Sequence, residues 1–511
     1  MVRPSCWEDA LGRKLLPELI IEIHQIAARL RSMEVGIELR QVGNGLASAL
    51  RAGVLSIAGL LDDSVSNREL GSVFDFRSRS PLNQMRRNFA SAYGVRESVP
   101  GTNGTTALNV PAVMTLGGEG DEIAIGRDAH VSVPAGLNLS GARPRYITPY
   151  YNAELGILLP PTPEEVRRFL IGNPGVRAVW LTLPTYHGIQ GDIDGIVKVC
   201  HEFKVLAAID EAHGPHLKFL GELGFPACAE EAGADLITQS THKVLSALNQ
   251  GSLIHINSPE LFHRYEELQS LGFVSTSFSY LILTSIEHAV NQMLTCGRKI
   301  WARPVELAAR LRDAGGAMPG VRVVDAGVVD GVRVTGLDPT RVTFNVSGTG
   351  LSGFEVEDYI FRMGGVVEMA TPEAVLFLVA PGVSVAKMEA TIPALREALQ
   401  QAPRRRDRAH FVPPPIPAQV MTPREATMLG RRERVSVRNA IGRVSAETIS
   451  CYPPGQAIII AGEAVTKETI EYLTYAVDAG AHLKRVRDDN FKTMEVIGDQ
   501  RTSTIPSGSQ R

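Results

Sequence analysis

The segment VLAAIDEAHG, residues 205–214, decides the predicted fold. Five apolar residues bounded by turn residues are typical of a strand buried in a parallel sheet, and Asp210 stands at the carboxyl end of that strand. The segment LITQSTHK, residues 236–243, is predicted to form the next strand and ends in Lys243. Because ligands bind at the carboxyl ends of strands in an open parallel sheet, we expect both charged side chains at one mouth of the sheet.

Short runs rich in Val, Ile, Leu and Ala alternate with helix-length polar segments over the middle of the chain. These runs are predicted as strands and cover residues 122–125, 145–148, 178–183, 206–210, 236–240 and 252–256. Such alternation indicates βα units, in which helices join parallel strands and cover both faces of the sheet. The predicted fold class is therefore α/β with a mostly parallel sheet.

The order of elements changes towards both ends of the chain, which predicts four parts. In chain order they are a helical amino-terminal arm, a major domain, a small α+β domain, and a linker with a carboxyl-terminal domain and a disordered tail, covering residues 1–75, 76–300, 301–400 and 401–511. Within the small α+β domain, helices are predicted from Pro304, Gly353 and Lys387. The linker has four arginines before a run of prolines, which is typical of a solvated, semi-rigid connector.

Composition excludes several functional classes. The chain has 511 residues, 21% of them charged, and a formal net charge of −3, so it offers no basic surface for nucleic acid. Its five cysteines are scattered without a Cys-x-x-Cys pair, so we expect a reducing cytoplasm and neither a disulfide framework nor a zinc site. No signal-peptide core and no apolar, uncharged stretch of about 18 residues occur, so neither export nor a membrane span is expected.

Lys243 and Asp210 together predict a cofactor. A lysine amine can form an imine with an aldehyde, and a carboxylate at the same mouth can keep a pyridine nitrogen protonated. These are the two groups that pyridoxal phosphate (PLP) requires. Taken singly, a strand-end aspartate is more often a cap or a salt-bridge partner, and a lysine after a strand is usually exposed. Their occurrence after successive predicted strands favours the PLP interpretation.

A Gly- and Thr-rich segment, GTNGTT at residues 101–106, precedes a helix predicted to begin near Ala107. Glycine allows a close main-chain approach, threonine hydroxyls donate hydrogen bonds, and a helix amino terminus carries partial positive charge. The segment is therefore a candidate site for the cofactor phosphate. Ser240 and His242, next to Lys243, add side-chain donors. As a single pattern, such a cluster is usually only a turn.

His130 lies in the segment RDAHVS, residues 127–132, after the predicted strand at residues 122–125. Its ring can stack on a pyridine ring and fix the orientation of that ring. A lone histidine is more often a core or surface residue. Only the company of the aspartate, the lysine and the glycine-rich segment favours a cofactor role for His130.

Several segments, in order along the chain, carry a family resemblance. They are TNGTT, DAHVS, LSGARP, LPTYHG, DEAHGPHL, QSTHK, SGTGLSGFEV and YPPG, at residues 102–106, 128–132, 139–144, 183–188, 210–217, 239–243, 347–356 and 452–455. The chain resembles the Orn/Lys/Arg decarboxylase family of fold-type I PLP enzymes, in the branch without a receiver-like amino-terminal wing. Chance motif matches are not expected to give such a co-linear series.

The resemblance implies a role for each candidate residue. It implies that Lys243 forms the imine with the cofactor, that Asp210 pairs with the pyridinium, and that His130 stacks on the ring. It places His213 beside the imine. Contacts to the cofactor phosphate and its surroundings are implied for two short segments, represented by Gly104, Thr105, Thr106, Ser240 and His242.

The resemblance also implies an assembly. Family members work as homodimers or multiples of dimers, with the active site at the subunit interface. The segment STSFSY, residues 275–280, is similar to the stretch that reaches a neighbouring subunit's cofactor. Ser275 and Thr276 are therefore candidate cofactor contacts, although Phe278 stands where the family pattern has proline.

The substrate end departs from the family pattern more than the cofactor end. No His-x-Pro-Gly-His segment precedes the phosphate loop, and Val131 stands where a basic residue usually follows the stacking histidine. The implied reaction is decarboxylation of lysine, ornithine, arginine or a derivative to an amine and carbon dioxide. Lys243, His242 and His213 are candidate acids for returning a proton to Cα, and Glu368 is a candidate partner for a cationic side chain.

Two other functions stay open from the sequence. The altered entrance also fits a PLP-dependent aminotransferase, or a decarboxylation-linked oxidase acting on a modified amino acid. A catalytically inactive regulatory paralogue is the third interpretation, although a binding protein needs neither an imine-forming lysine nor a carboxylate for the pyridinium. The expected partners are a small amino acid substrate and a second copy of the chain.

Overall fold

The computed structural model describes most of the chain after its first 79 residues. The described residues are 80–269, 278–383, 385–401, 413–452, 456–484, 488 and 490–498. Some predicted features lie outside them, namely the helical arm at residues 1–75, the arginines of the linker, Ser275, Thr276, and the tail. For these features the sequence-based predictions stay predictions.

Helices and strands alternate along the described chain. The helices are α1 (Pro81–Tyr93), α2 (Gly104–Leu116), α3 (Ser132–Ser140), α4 (Pro163–Gly172), α5 (Ile193–Glu202), α6 (Leu217–Leu220), α7 (Thr241–Val244), α8 (Pro259–Leu268), α9 (Tyr280–Gly316), α10 (Gly353–Arg362), α11 (Val385–Gln401), α12 (Val437–Ala440) and α13 (Lys467–Asp478). The strands are β1 (Glu97–Gly101), β2 (Glu122–Gly126), β3 (Arg143–Ile147), β4 (Tyr150–Asn152), β5 (Ile157–Leu159), β6 (Val176–Thr182), β7 (Ile189–Gln190), β8 (Leu206–Asp210), β9 (Leu236–Gln239), β10 (Ser252–Ile256), β11 (Arg322–Val323), β12 (Gly336–Leu337), β13 (Arg341–Asn345), β14 (Met369–Ala370), β15 (Ala374–Leu378), β16 (Arg432–Ser436), β17 (Ile449–Tyr452), β18 (Gln456–Ile459), β19 (His482–Lys484) and β20 (Thr493–Ile497).

Seven strands form the large sheet, in the order β1-β10-β9-β8-β6-β2-β3. The strands β9, β8, β6, β2 and β3 run parallel, and β10 is antiparallel to both of its neighbours, β9 and β1. Strand β1 therefore runs in the same direction as the five parallel strands. The strands predicted at residues 206–210 and 252–256 have the observed bounds, and the other four differ at their ends by one or two residues. The predicted α/β class with a mostly parallel sheet is confirmed.

Helices cover both faces of the large sheet because both faces are apolar. On one face, Leu108 of α2, Val133 of α3 and Tyr265 of α8 belong to one buried cluster with Trp180 of β6. On the other face, Ile196 of α5 belongs to a second buried cluster, to which α4 also contributes. A fully buried side chain of this size contributes about 1.5–3 kcal/mol relative to an exposed one. The sheet is therefore a rigid base for groups at its edge.

A four-stranded antiparallel sheet, in the order β11-β13-β15-β14, forms a second layer. The helices α9, α10 and α11 pack on it around a buried cluster that includes Phe344 and Val356. We call this sheet and its helices the small layer. Two of its predicted helices agree closely with the structure, because α10 begins at Gly353 and α11 begins two residues before Lys387.

The helix predicted to begin at Pro304 is wrong at its start. Helix α9 runs continuously from Tyr280 to Gly316 and passes through residue 300, where the major domain is predicted to end. Proline removes one main-chain hydrogen bond, but Trp301 and Leu307 on either side of it are buried and hold the helix together. The division into domains stays a prediction. Within the described part of the chain, no helix, α9 included, has the length and apolar character needed to cross a membrane.

The carboxyl-terminal part packs against the large sheet near the end of β2. It contains the sheet β18-β17-β19, the pair β16–β20 and helix α13, around a core that includes Ile449 and Leu473. Arg127, just after β2, donates to the main-chain oxygen of Ile458 at 2.9 Å and pairs with Glu463 at 2.8 Å. This ion pair is largely shielded from water, so it fixes the position of the carboxyl-terminal part relative to the sheet.

Candidate active site

A cavity of about 370 Å³ lies at the carboxyl edge of the large sheet. One of its walls, which we call the sheet wall, is formed by the ends of β8 and β9, the start of α2, and α7. The other, which we call the docked wall, comes from Phe354 and Glu373 of the small layer and Tyr472 of α13. Small-molecule sites occupy about 300–1,000 Å³, so this cavity has the size of a ligand site.

Asp210 and Lys243 lie in this cavity together. The strands β8 and β9 are parallel neighbours, with Asp210 beside Thr238, so both strands end at the same edge of the sheet. Helix α7 begins two residues after the end of β9 and carries Lys243 on its first turn. The shared edge predicted from the two apolar runs is therefore the edge at which the structure brings the amine and the carboxylate together.

Both oxygens of Asp210 accept hydrogen bonds. Oδ1 accepts the N–H of Ala212 at 3.1 Å, and Oδ2 accepts an N–H of the Asn109 side chain at 3.0 Å. The Asp210 side chain is buried, and a buried carboxylate is costly unless donors of this kind compensate for the lost water. The orientation of the carboxylate is therefore fixed by the protein alone.

A buried polar network lies behind Asp210 and connects three strands. Nε2 of Gln239 on β9 donates to Glu211 and to Glu230, at 2.6 Å in each case, and Nε2 of His255 on β10 donates to the Gln239 side-chain oxygen at 3.1 Å. Burial raises the pKa of both glutamates, and each carboxyl group lies close to the other. A protonated carboxyl group in this pair reduces the charge repulsion directly behind the strand end.

Lys243 is enclosed by polar and charged side chains. Its Nζ lies 2.9 Å from Nε2 of His213. Burial lowers the pKa of the Lys243 amine and the Arg341 guanidinium lowers it further, whereas the carboxylates of Asp210 and Glu368 raise it. The net direction favours the neutral amine, which is the form that attacks a carbonyl carbon.

His213 connects Lys243 to the small layer. An N–H of Arg341 donates to its Nδ1 at 2.9 Å, and the centroid of the Tyr186 ring lies 4.3 Å from the centroid of its ring. Burial holds the pKa of His213 well below its usual value, and the charges of Lys243 and Arg341 lower it further. The imidazole is therefore neutral near pH 7.

The start of α2 forms the end of the cavity predicted to bind phosphate. The helix begins at Gly104 rather than near Ala107. Gly104 has a left-handed φ of 75°, and its N–H donates to the main-chain oxygen of Gln250 at 2.8 Å. Oγ1 of Thr105 lies 2.6 Å from Oγ of Ser240. A Cβ atom added to Gly104 would meet no described heavy atom within 4 Å, which leaves open space for an anion at this helix terminus.

His130 and His242 also line the cavity. The N–H of Ser132 donates to Nδ1 of His130 at 3.2 Å, so the neutral ring carries its proton on Nε2. Nδ1 of His242 donates to the main-chain oxygen of Gly251 at 2.7 Å, and burial lowers the pKa of His242. Each ring is thus anchored through its Nδ1 atom, with a defined tautomer.

The structure brings together nearly all of the predicted site residues. Those that line the cavity are Gly104, Thr105, Thr106, His130, Asp210, His213, Ser240, His242 and Lys243. Ser275 and Thr276 lie outside the described residues. Glu368 lies one side chain behind the cavity, because its Oε1 accepts the hydroxyl proton of Tyr186 at 3.0 Å and Tyr186 lines the cavity.

Sequence reasoning missed Asn109, Tyr186, Arg341 and Glu373. Asn109 and Tyr186 lie in or just after quoted segments, so those segments carried a signal that was not assigned to these two side chains. Arg341 and Glu373 belong to the small layer, 98 and 130 positions after Lys243 in the sequence, and no local pattern marks them as site residues. Only the packing of the small layer on the sheet reveals their place.

Glu373 adds a carboxyl group to the docked wall. Burial raises its pKa to about 7, and no other described side chain donates a hydrogen bond to its carboxyl group. Tyr151 lies in the same cavity, and its pKa is raised by burial and by the nearby Glu373. A carboxyl group beside an aromatic ring suits a ligand that carries a positive charge.

Two family models match the chain. The model described as "Orn/Lys/Arg decarboxylase, major domain" covers residues 60–387, and the one described as "Orn/Lys/Arg decarboxylase, C-terminal domain" covers residues 406–483. The chain belongs to the Orn/Lys/Arg decarboxylase family. The resemblance stated from the sequence is confirmed, as is the predicted class of enzyme, an amino acid decarboxylase.

Individual relatives agree with this membership. Arginine decarboxylase of Bacillus subtilis is 32% identical over 81% of this chain and 84% of its own length, and constitutive lysine decarboxylase of Escherichia coli is 27% identical over 82% and 71%. The solved structure of that Escherichia coli enzyme superposes with a TM-score of 0.72 at 21% identity, covering 98% of this chain and 88% of the other. Alanine–glyoxylate aminotransferase from Nostoc gives 0.51 at 17% identity, covering 72% and 98%. These two likenesses show the fold-type I architecture.

The residues in the cavity fit a PLP cofactor. Lys243 supplies an amine that burial keeps towards its neutral form, and Asp210 supplies a carboxylate held by two donors. Gly104 leaves open space at the amino terminus of a 13-residue helix, where main-chain N–H groups attract a phosphate. The three parts of the cofactor, namely aldehyde, ring nitrogen and phosphate, each have a chemically suitable partner in one cavity.

Proposed function

We propose that the chain is a PLP-dependent decarboxylase of a basic α-amino acid, which it converts to an amine and carbon dioxide. The observation that carries the proposal is that the Lys243 amine and the Asp210 carboxylate line one cavity at the carboxyl edge of the sheet. The names of the relatives, arginine decarboxylase and lysine decarboxylase, support a basic substrate.

The sheet wall would hold the cofactor. Lys243 would bind the aldehyde carbon, Asp210 the ring nitrogen, and His130 one face of the ring. The first turn of α2 and the hydroxyl of Ser240 would hold the phosphate. When bound, PLP supplies an electron sink for the electron pair left at Cα after carbon dioxide departs.

Asp210 would stabilise positive charge at the ring nitrogen of a bound cofactor without moving. Its two oxygens already accept hydrogen bonds from Ala212 and Asn109, so the carboxylate does not reorganise during the reaction. Preorganised charge in a site with little water is worth more than the same charge in solvent. These two contacts support an electrostatic role for Asp210 rather than a proton-transfer role.

Lys243 and His213 handle protons as a pair. Nζ and Nε2 lie 2.9 Å apart, so one proton can be shared between them. The neutral His242 ring has its proton on Nδ1, where the main-chain oxygen of Gly251 accepts it. We therefore assign the return of a proton to Cα to Lys243 assisted by His213, and give His242 a cofactor-holding role.

The docked wall would bind the substrate and exclude water. Glu373 lines the cavity and would attract the cationic end of the substrate, while Glu368 would act through Tyr186, with which it shares a hydrogen bond. Tyr472 and Phe354 cover the same space with aromatic surface. Loss of carbon dioxide is favoured where the substrate carboxylate is shielded from water.

The working form would be a homodimer or a multiple of dimers in the cytoplasm. The similarity of residues 275–280 to a family segment that reaches a neighbouring cofactor supports the dimer, with Ser275 and Thr276 as contacts from the partner subunit. The scattered cysteines support a reducing compartment.

The test is product analysis with purified protein and added PLP. Lysine, ornithine and arginine are supplied separately, and carbon dioxide, amine and peroxide are followed together. We expect carbon dioxide and the matching amine in equal amounts from at least one of the three substrates. A keto acid or an aldehyde with peroxide as the main product would replace decarboxylation by transamination or oxidation. Absence of PLP binding would instead support a regulatory paralogue.

A further inference from the structure

Four buried side chains interlock behind Lys243. His213 and His216 lie three residues apart on the loop after β8, and Asp338 and Arg341 lie three residues apart where the chain enters β13. Nε2 of His216 donates to Oδ2 of Asp338 at 3.0 Å, and an N–H of Arg341 donates to Nδ1 of His213 at 2.9 Å. Each histidine of the loop is thus matched to one charged group of the small layer.

Asp338 stabilises the buried cation. Nε of Arg341 lies 3.8 Å from Oδ2 of Asp338, and both side chains are almost completely shielded from solvent. The ring of His216 stacks on Trp301 at 4.6 Å between centroids with an angle of 11° between planes. A buried guanidinium is costly without a paired anion, so Asp338 stabilises Arg341 in the place where it contacts the loop.

Gly188 leaves the space that Arg341 needs. It has a left-handed φ of 79°, and a Cβ atom built on it would lie 2.5 Å from Cγ of Arg341 and 2.9 Å from Cβ of Asp338. Its main-chain oxygen also accepts the N–H of Asp338 at 2.8 Å. Arg341 is therefore confined on both sides, and its contact with His213 is determined by packing.

The hydrogen-bond partners determine the proton positions. Arginine has only N–H donors, so Nδ1 of His213 must accept in its contact with Arg341 and carries no proton. The proton of the neutral ring is then on Nε2, which points it at Nζ of Lys243, 2.9 Å away. An ammonium group has no lone pair, so only the neutral amine can accept this hydrogen bond.

We propose that Arg341 is a positioning residue, which fixes the Nε2–H tautomer of His213 and thereby holds Lys243 as a neutral amine. The inference rests on the proposed role of Lys243 as the amine that captures the cofactor aldehyde, since only a neutral amine does so. Arg341 touches neither cofactor nor substrate in this role. It acts on Lys243 through His213, and its positive charge also lowers the pKa of the Lys243 amine.

The other charged groups around Lys243 do not supply this effect. Asp210 and Glu368 are anions and favour the ammonium form, and His213 is neutral. Loss of the Arg341 guanidinium would free Nδ1 of His213 to take up the ring proton. Nε2 could then accept from a lysine ammonium, and the charged form would gain both a hydrogen-bond partner and relief from a nearby cation.

The test measures the protonation of Lys243 without any cofactor. Full-length protein freed of PLP is labelled with a small excess of acetic anhydride at a series of pH values, and mass spectrometry gives the labelled fraction of Lys243. We expect Arg341→Met to raise the midpoint pH of labelling by about one unit, the usual size of a shift caused by a nearby charge. An unchanged or lower midpoint in folded Arg341→Met would overturn the proposal.

Arg312→Met is the matched control. Arg312 is a half-buried guanidinium of the small layer, and it donates to the main-chain oxygens of Pro339 and Arg341 without contacting His213. We expect its replacement to lower stability and to leave the labelling midpoint of Lys243 unchanged. An equal shift in both variants would show a general loosening of the segment and would count against a specific role for Arg341.

The wild-type protein offers a second test that does not depend on a variant folding. Nitrogen-15 NMR of histidine-labelled protein distinguishes protonated from unprotonated ring nitrogens, and the signals of His213 are those lost in His213→Gln. We expect a proton on Nε2 and none on Nδ1. A proton on Nδ1 would overturn the proposal while leaving the proposed decarboxylation intact, and failure of PLP to bind would do the reverse.

Discussion

The two walls of the cavity are built in different ways. On the sheet wall, the functional side chains follow the ends of adjacent parallel strands, so Asp210 and Lys243 meet because β8 and β9 are neighbours. On the docked wall, Phe354 and Glu373 come from separate segments of the small layer, and Tyr472 comes from α13, much further along the chain. The sheet wall is thus specified locally, whereas the docked wall depends on how separate layers pack. In the proposed function, the sheet wall carries the general chemistry and the docked wall the specificity.

The walls also differ in how their charged groups are satisfied. Asp210 and Lys243 each have a fixed hydrogen-bond partner within the protein. The carboxyl group of Glu373 receives no hydrogen bond from another side chain of the described residues, and burial raises its pKa to about 7. A buried carboxyl group without a hydrogen-bond donor can be stabilised by a cationic ligand, as expected of a group that contacts a basic substrate.

Replacement of the lysine on the sheet wall should have the largest effect. We expect Lys243→Ala to lower kcat by about 10⁴-fold or more, as does removal of a group central to covalent catalysis. Lys218→Ala is the control, because Lys218 pairs with Glu231 at 2.8 Å near the surface and loss of this pair should cost at most about 1 kcal/mol of stability. Turnover and thermal unfolding are measured for both. Substantial turnover in folded Lys243→Ala would contradict the assignment of the reaction to the sheet wall.

The carboxylate at the strand end should have the next largest effect. We expect Asp210→Asn to lower kcat by about 10²–10³-fold, because it removes preorganised charge while keeping the shape of the side chain. Asp235→Asn is the control, since Asp235 precedes β9 at the other edge of the sheet and accepts the N–H of Ala207 at 2.8 Å. Its loss should affect stability by about 1 kcal/mol and not kcat. Equal losses of kcat in the two variants would contradict the assignment of the active site to the carboxyl edge of the sheet.

A pair of glycine variants tests the junction between the walls. Gly188→Ala should destabilise the protein more than Gly233→Ala by about 1–3 kcal/mol, the usual cost of overpacking. The two glycines have similar left-handed φ values, 79° and 73°, but an added Cβ meets Arg341 at Gly188 and no described heavy atom within 4 Å at Gly233. Urea unfolding of both variants gives the difference. Equal midpoints would show that Arg341 is not confined by Gly188.

The smallest expected effect is at the docked wall. We expect Glu373→Gln to raise KM for a basic amino acid about tenfold, equal to about 1.4 kcal/mol of binding, with kcat nearly unchanged. In the wild type, KM should fall as the pH rises through about 7, because the ionised carboxylate attracts the cation. The variant should lack this dependence. Glu389→Gln on the exposed surface of α11 is the control and should behave as wild type. A loss of kcat without a change in KM would indicate that Glu373 acts in the reaction step rather than in substrate binding.

The sequence predicted the fold where hydrophobic periodicity was local and strong. The strands at residues 206–210 and 252–256 were found with their observed bounds, because runs of apolar residues end at turn residues. Helix α9 was not found as one element, because Pro304 is a typical helix start and only the burial of Trp301 and Leu307 shows that the helix continues through it.

The site residues also divide into those that a local sequence pattern marks and those that only tertiary packing reveals. Each described cofactor candidate lies near the end of a strand or the start of a helix, where a short segment is enough to mark it. Arg341 has no such mark, and its contact with His213 spans 128 positions. Glu373 likewise enters the cavity only because the small layer packs on the large sheet.

By itself the sequence determined the α/β class, the edge of the sheet that carries the site, and the amine and carboxylate that meet there. These follow from the order of apolar runs and from the rule that parallel neighbours end at one edge. Only the tertiary structure decided which groups contact the two ring nitrogens of His213, which carboxyl group of the small layer lines the cavity, and which side chains cover it. The reason is that proton position, burial and charge compensation depend on groups from distant segments, which acquire their distances only when the layers pack.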